Sequence, residues 1–108
     1  MKIVKIKPLS VNKCFQGRRF KTPTYKAYET ELLYKLPHLN IKPKTPLRLT
    51  IIVGFSNRKS DLDNICKPFQ DILQKKYGFN DDMIYQLIML KKIVKRGHEY
   101  IKFKLDVL

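Results

Sequence analysis

The amino-acid sequence predicts a single folded domain, residues 1–108, in which β-strands combine with two main helices. A length of 108 residues supports one hydrophobic core but not two. Large apolar residues occupy every second position from Leu47 to Phe55, which indicates a strand with one buried face. In residues 24–36 and 65–76 the apolar positions recur at steps of three and four, which indicates helices.

The first third of the chain is predicted to hold a short strand, a loop and the first helix. Residues 2–7 mix aliphatic side chains with lysines and are followed by Pro8, which is typical of an edge strand. Residues 10–26 contain turn-forming, cationic and aromatic residues, so we expect a loop. Thr24 is the expected N-cap of the first helix, and Pro37 is expected to end it.

The last third is predicted to hold the second helix and a β-hairpin. Pro68 would remove a backbone hydrogen bond inside a helix, so we expect regular helix to begin near residue 64. Residues 83–94 and 100–107 resemble two apolar strands joined by a turn at residues 96–98. The sequence therefore predicts that these two strands pair with each other.

The charge distribution indicates a polyanionic partner. The net charge is +14, and residues 1–50 hold twelve Lys and Arg against two Glu. Such an excess attracts polyanions, of which nucleic acid is the commonest, although a basic surface can also serve only solubility. Lysine and arginine can neutralise phosphates, while the aromatic residues of the loop either stack on bases or belong to the core. The candidate nucleic-acid contacts are Lys13, Arg18, Arg19, Lys21, Lys26, Arg58 and Lys59.

The sequence argues against a membrane-spanning protein, a secreted protein, a disulfide-rich fold and a zinc finger. No run of eighteen apolar residues is present, and the N-terminal segment lacks the apolar stretch of a signal peptide. Cys14 and Cys66 do not form a disulfide framework and have no zinc-finger spacing. We therefore expect a cytoplasmic protein with reduced thiols, without a membrane partner or a small-molecule cofactor.

The acidic residues are concentrated in residues 59–83, which contain five of the nine. If the segment is extended, Asp61 and Asp63 project to one side with Cα atoms about 7 Å apart, at about 3.3 Å per residue. Carboxylates placed in this way can share Mg²⁺ or Mn²⁺. Alternatively, Asp61 or Asp63 caps a helix, and Asp81 and Asp82 form a polar turn. Asp82 can reach Asp63 only if the chain after the helix runs back along it, and the segment from residue 76 to residue 82 is just long enough to do so. We therefore expect a metal site within one chain. If the helix is longer, Asp82 could reach only the site of another subunit.

The pattern D-L-D-N-x-x-K-x-x-x-D-x-L, followed about ten residues later by an Asp-Asp pair, resembles the RusA family of Holliday-junction resolvases. The resemblance covers about residues 5–95. It implies that Asp61, Asp63 and Asp82 bind the metal ion, that Lys67 is the lysine of the catalytic site and that Asp81 supports the site. Asp71 also matches a family position, and we expect it to support the site or the packing of the helix. The resemblance also implies an α/β fold with a mixed sheet, a homodimer and a basic DNA-binding face.

Together, these features predict a Mg²⁺-dependent, structure-selective DNA endonuclease that resolves Holliday junctions by paired, symmetric nicks during recombination and repair. Its partner would be branched DNA, and Mn²⁺ could replace Mg²⁺. The alternatives are a basic nucleic-acid-binding protein without catalysis and a nuclease that acts on other branched DNA or on RNA.

Overall fold

The computed structural model describes residues 1–17 and 20–108. The candidate contacts Arg18 and Arg19 therefore lie outside the described residues. The helices are α1 (Pro23–Lys35) and α2 (Leu62–Tyr77), and short 3₁₀ turns cover Val11–Lys13 and Asp81–Met83. The strands are β1 (Lys2–Val4), β2 (Phe15–Gln16), β3 (Phe20–Lys21), β4 (Leu47–Phe55), β5 (Ile84–Ile93) and β6 (Tyr100–Val107).

A mixed four-stranded sheet with the strand order β1-β6-β4-β5 forms the body of the fold. β4 pairs in parallel with β5 and antiparallel with β6, and β6 pairs antiparallel with β1. The α/β class, the mixed sheet and the two helices are confirmed.

The predicted hairpin of β5 and β6 is wrong, because β4 lies between these two strands. Residues 94–99 connect them past the end of β4. Crossing one intervening strand takes about 10 Å, well within the reach of six residues. The alternation of apolar residues indicates that both segments are strands, but it does not specify their neighbours.

The hydrophobic core lies between one face of the sheet and the two helices. The alternating apolar residues of β4 are buried, from Leu47 to Phe55, and α2 packs against them and against β6. The rings of Phe69 on α2 and Phe103 on β6 meet edge to face with centroids 5.7 Å apart. Aromatic pairs in this geometry stabilise a core beyond the area that they bury.

The expected cap and loop near α1 differ from the observed structure. Thr22, not Thr24, is the N-cap: its hydroxyl accepts a hydrogen bond from the Tyr25 backbone N–H, and Pro23 takes the first helical position. β2 and β3 pair with each other within the segment predicted to be a loop. Tyr25 is buried in the core, whereas Phe20 is 75% exposed.

The helix α2 begins earlier than Pro68 suggested. It starts at Leu62 with Asp61 at the N-cap, and Pro68 lies inside it. The missing hydrogen bond is tolerated because the ring of Pro68 is fully buried in the core. The chain leaves the helix at Gly78, whose φ of 73° is the left-handed conformation that glycine adopts easily. None of the described helices has the length and apolarity needed to cross a membrane.

Candidate metal centre and nucleic-acid interface

Asp61 and Asp63 lie at the N-terminus of α2, where the helix follows the carboxyl end of β4. Asp61 is the N-cap but its side chain makes no capping hydrogen bond, and Asp63 is in the first turn. Both residues are exposed, and the positive end of the helix dipole favours carboxylates there. The extended geometry expected for this pair is wrong, because Leu62 already begins the helix. The two carboxylates nevertheless share one end of one helix.

Lys67 lies further along α2 and is held by Asp71. Its ammonium donates a hydrogen bond at 2.9 Å to the Asp71 carboxylate, one turn later. This hydrogen bond raises the pKa of Lys67, and the negative charge of Asp81 adds to the shift. The hydrogen bond therefore fixes the position of the ammonium, which is charged at neutral pH. Burial, with the charge of Asp71 as a second cause, raises the pKa of the Cys66 thiol, which also lies on α2.

Asp81 and Asp82 lie at the opposite end of the parallel strand pair. They immediately precede β5, whose first residue, Ile84, pairs with Leu47 at the start of β4. Asp61 instead follows the end of β4. The two ends of this nine-residue strand are about 26 Å apart, at about 3.3 Å per residue.

The expected metal site within a single chain is not formed. Among residues 1–17 and 20–108, no three His, Cys, Asp or Glu side chains are close enough to hold a metal ion. The path of the chain is the reason. The helix α2 extends about 24 Å at 1.5 Å per residue, and residues 78–83 then lead into β5, whose first residue pairs with Leu47 at the start of β4. Asp82 therefore lies at the end of the sheet away from Asp63.

A cleft of about 900 Å³ opens beside Asp61. It lies between the N-terminal segment, α1, the end of β4 and the start of α2. Its charged lining consists of four cationic side chains and three carboxylates: Lys7, Lys13, Lys59 and Arg96, with Glu31, Asp61 and Glu99. The cationic side chains are in excess by one, and the phosphates of a DNA backbone could contact them close to Asp61.

Three hydrogen bonds that involve side chains fix the loop that precedes Asp61. The ammonium of Lys91 on β5 donates hydrogen bonds to the backbone carbonyls of Arg58 and Ser60, at 2.7 and 2.5 Å. The Asn57 side chain accepts a hydrogen bond from the backbone N–H of Lys59 at 2.9 Å. The loop is therefore anchored to β5, and this anchor positions the start of α2.

The predicted nucleic-acid contacts differ in their exposure and in whether they already form an ion pair. Lys13, Lys26, Arg58 and Lys59 are exposed, and of these Lys13 and Lys59 line the cleft. Lys21 donates to Glu29 at 3.0 Å, and its ammonium lies 5.3 Å from the centre of the Tyr25 ring. Its charge is thus already engaged within the protein.

Sequence reasoning missed three residues near the site. Arg96 and Glu99 line the cleft because the connection between β5 and β6 crosses the end of β4. Lys91 anchors the loop because β5 lies beside β4. The basic turn at residues 96–98 was visible in the sequence, but its position beside Asp61 depends on the strand order.

Comparisons with known proteins agree with the resemblance in sequence. A family model described as Endodeoxyribonuclease RusA matches residues 10–104. A search of curated proteins gave no match. The matched range includes the cationic segment, both helices and all of the candidate aspartates.

Proposed function

The chain belongs to the RusA family of endodeoxyribonucleases, and from this premise we propose that it is a Mg²⁺-dependent Holliday-junction resolvase. Family membership implies a nuclease that resolves junctions. We further propose that it acts as a homodimer, makes paired, symmetric nicks in branched DNA and works in the cytoplasm. Two equivalent sites related by a two-fold axis suit a substrate that must be cut on two strands.

The observation that carries the proposal is the pair Asp61 and Asp63 at one helix terminus, with Lys67 on the same helix. The side-chain hydrogen bonds and ion pairs between described residues involve neither aspartate. Carboxylate oxygens are the ligands that Mg²⁺ prefers, so the donor set fits this ion. Asp82 is proposed as the third ligand and Asp81 as a supporting carboxylate.

Each residue of the site has a role in phosphodiester hydrolysis. Asp61 and Asp63 would hold the ion at the start of α2. When bound, Mg²⁺ supplies charge neutralisation and an activated water for in-line displacement at phosphorus. Lys67, held in position by Asp71, would place its ammonium near the scissile phosphate and stabilise the charge that develops there.

The cleft would bind the DNA backbone beside the catalytic residues. Lys13 and Lys59 are exposed and line it, and together with Lys26 and Arg58 they form the proposed DNA-binding face. Replacing Lys59 by Ala should weaken binding of all junction sequences alike. It should also lower the slope of log K against log salt by about 1, since one phosphate contact is lost.

Cleavage of a synthetic four-way junction, compared with a linear duplex of matched sequence, tests the proposal. With Mg²⁺, paired nicks are expected on the junction alone, and EDTA should abolish them. Asp63→Asn should keep junction affinity and lose cleavage. Asp106→Asn is the matched control, because Asp106 lies on β6 and pairs with Lys104 at 3.5 Å, away from the cleft.

The junction-cleavage experiment also distinguishes a nuclease from a nucleic-acid-binding protein without catalysis. Tight, salt-sensitive binding with no nicks in Mg²⁺ or Mn²⁺ would overturn the catalytic proposal and favour a basic nucleic-acid-binding protein. Cleavage that is insensitive to Asp63→Asn would show that the aspartates at the start of α2 are not the metal ligands.

A further inference from the structure

The cleft beside Asp61 contains positive and negative side chains in nearly equal number, with one cation in excess. One of the carboxylates is fixed as part of the wall. Glu99 accepts hydrogen bonds from the Ser56 hydroxyl at 2.7 Å and from the Gly97 backbone N–H at 2.9 Å. A groove that only follows a phosphate backbone is cationic along its length. The interior of this cleft therefore suits a group of low charge.

The uncharged part of the cleft is largely apolar. It includes Ala27, exposed on α1, and five side chains that are at most 9% exposed: Ile6, Leu9, Tyr28, Phe55 and Ile65. The side-chain amides of Asn57 and Asn64 add donors and acceptors of the kind that pair with the edges of bases. The volume of about 900 Å³ is within the range of about 300–1,000 Å³ found for clefts that bind small molecules. These properties fit a flat, amphipathic ring such as a nucleobase.

Tyr28 supplies an unused hydrogen-bond donor in this lining. Its side chain is 6% exposed, and its hydroxyl has no hydrogen-bond partner among residues 1–17 and 20–108. Burial raises the pKa of this hydroxyl; the Leu9 backbone has a smaller opposite effect but does not reach the geometry of a hydrogen bond. A buried donor without an acceptor costs free energy. A carbonyl oxygen or ring nitrogen of a bound base is an acceptor that would remove this cost.

The position of the cleft connects it with the proposed metal site. Asp61 lines the cleft, and so do the cationic side chains of Lys13 and Lys59. A base and its own phosphate are joined by a single sugar, so a base in the cleft leaves its phosphate near Asp61 and these cations. Removing a base from the stack costs least where it is already unpaired, as at a branch point.

We infer that the cleft is a base-binding site, which takes one nucleobase extruded from the branch point, next to the phosphate that is cleaved. The inference rests on the proposed function for its DNA substrate and extends it, because it assigns the cleft to a base and not only to the backbone. It also gives a physical reason for selecting branched DNA. In a linear duplex the same base would first have to be unpaired and unstacked.

The methyl group of Ala27 reports directly on the occupancy of the cleft. Ala27 is the single alanine of the sequence, so ¹³C-methyl labelling of alanine gives one resonance. A four-way junction, bound in EDTA to prevent cleavage, should shift this resonance through the ring current of the base. Abasic sites are then placed in turn at the nucleotides that flank the crossover, and one of them should abolish the shift. No shift with the intact junction, or a shift that every abasic junction reproduces, would overturn the inference.

Filling the cleft tests the same site by affinity. Ala27→Leu adds volume at an exposed helical position where leucine is well tolerated. It should weaken binding of the intact junction about tenfold, the effect of losing one stacked base. It should not weaken binding of the junction with the effective abasic site, because no base then needs the space. Equal weakening on both junctions would overturn the inference.

Thr30→Leu is the matched control for this substitution. Thr30 is exposed on the same helix, lies outside the cleft and donates only to the Lys26 carbonyl one turn earlier, at 2.9 Å, within the described part of the chain. Junction affinity should therefore be unchanged. Circular dichroism should show the same helix content in both variants.

The failures of the two proposals are distinguishable. If the protein binds the junction without cleaving it in Mg²⁺ or Mn²⁺, the proposed nuclease is contradicted, and the Ala27 resonance still decides whether a base enters the cleft. If the protein cleaves the junction while the Ala27 resonance does not respond to the base, the base-binding site is overturned and the nuclease stands.

Discussion

The ammonium of Lys67 and the carboxylate of Asp71 are joined by a 2.9 Å hydrogen bond across one turn of α2. An exposed ion pair at this spacing adds only about 0.3–0.5 kcal/mol to stability. Its more important effect is to hold the ammonium of Lys67 in one position, and the bond also raises the pKa of that ammonium. Asp71 is thus a positioning residue for Lys67.

Asp71→Asn should therefore lower the pKa of Lys67 while leaving the fold intact. The variant loses the ionic hydrogen bond and the attraction of the carboxylate, so the charged form of Lys67 is less favoured. NMR titration of the Lys67 side chain should show the shift directly. An unchanged Lys67 titration would contradict this role.

Thr22→Ala should destabilise the protein by about 1–2 kcal/mol, since two hydrogen bonds are lost. The Thr22 hydroxyl accepts from the Tyr25 backbone N–H at 3.1 Å and donates to the Lys13 carbonyl at 2.6 Å. It thereby joins α1 to the turn that carries Lys13. Urea unfolding measures the loss, and Thr22→Ser, which keeps the hydroxyl, is the control. Equal stability of the Ala and Ser variants would contradict the prediction.

Gly54→Ala should destabilise the sheet by about 1–3 kcal/mol through overpacking. Gly54 pairs with Tyr100 on β6, and a Cβ atom at position 54 would lie 2.5 Å from the Cε1 atom of that ring. The same substitution should cost clearly less in a Tyr100→Ala background. A double-mutant cycle from urea unfolding tests this coupling. A cost that does not depend on Tyr100 would refute it.

Glu29 should make stability dependent on pH in the acidic range. It accepts hydrogen bonds from Lys21 at 3.0 Å and Lys75 at 3.2 Å, and so connects α1 with β3 and α2. Burial raises the pKa of Glu29, but the two lysines lower it more, and the net result is a pKa below 4.5. The stabilisation is therefore present above about pH 4.5 and is lost as the pH falls through the lower pKa of the folded state.

The variant Glu29→Gln should be less stable than wild type by about 1 kcal/mol at pH 7. The difference should shrink as the pH falls from 4.5 toward 3. Urea unfolding at a series of pH values provides the measurement. Glu31→Gln is a suitable control, because among residues 1–17 and 20–108 Glu31 pairs only within α1, with Lys35 at 2.7 Å. A difference that is the same at pH 3 and pH 7 would argue against the ionic origin.

Much of the candidate site could be predicted from the sequence because its signals are local. The spacing of Asp61, Asp63 and Lys67, and the Asp81-Asp82 pair, are sufficient for the resemblance that the family match supports. The first residue of α2 was harder to predict from the sequence. The ring of Pro68 is accommodated only because the core buries it, and burial is a property of the folded chain.

By itself the sequence determined the α/β class, the strand β4, the two helices and the identity of the candidate residues, since periodicity, caps and residue spacing act over a few residues. Only the tertiary structure decided that β4 separates β5 from β6, and that Asp82 lies at the far end of the sheet from Asp61. Strand order depends on contacts between segments distant in the chain. For that reason the exposed apolar edge of β5 could be recognised only once the fold was known.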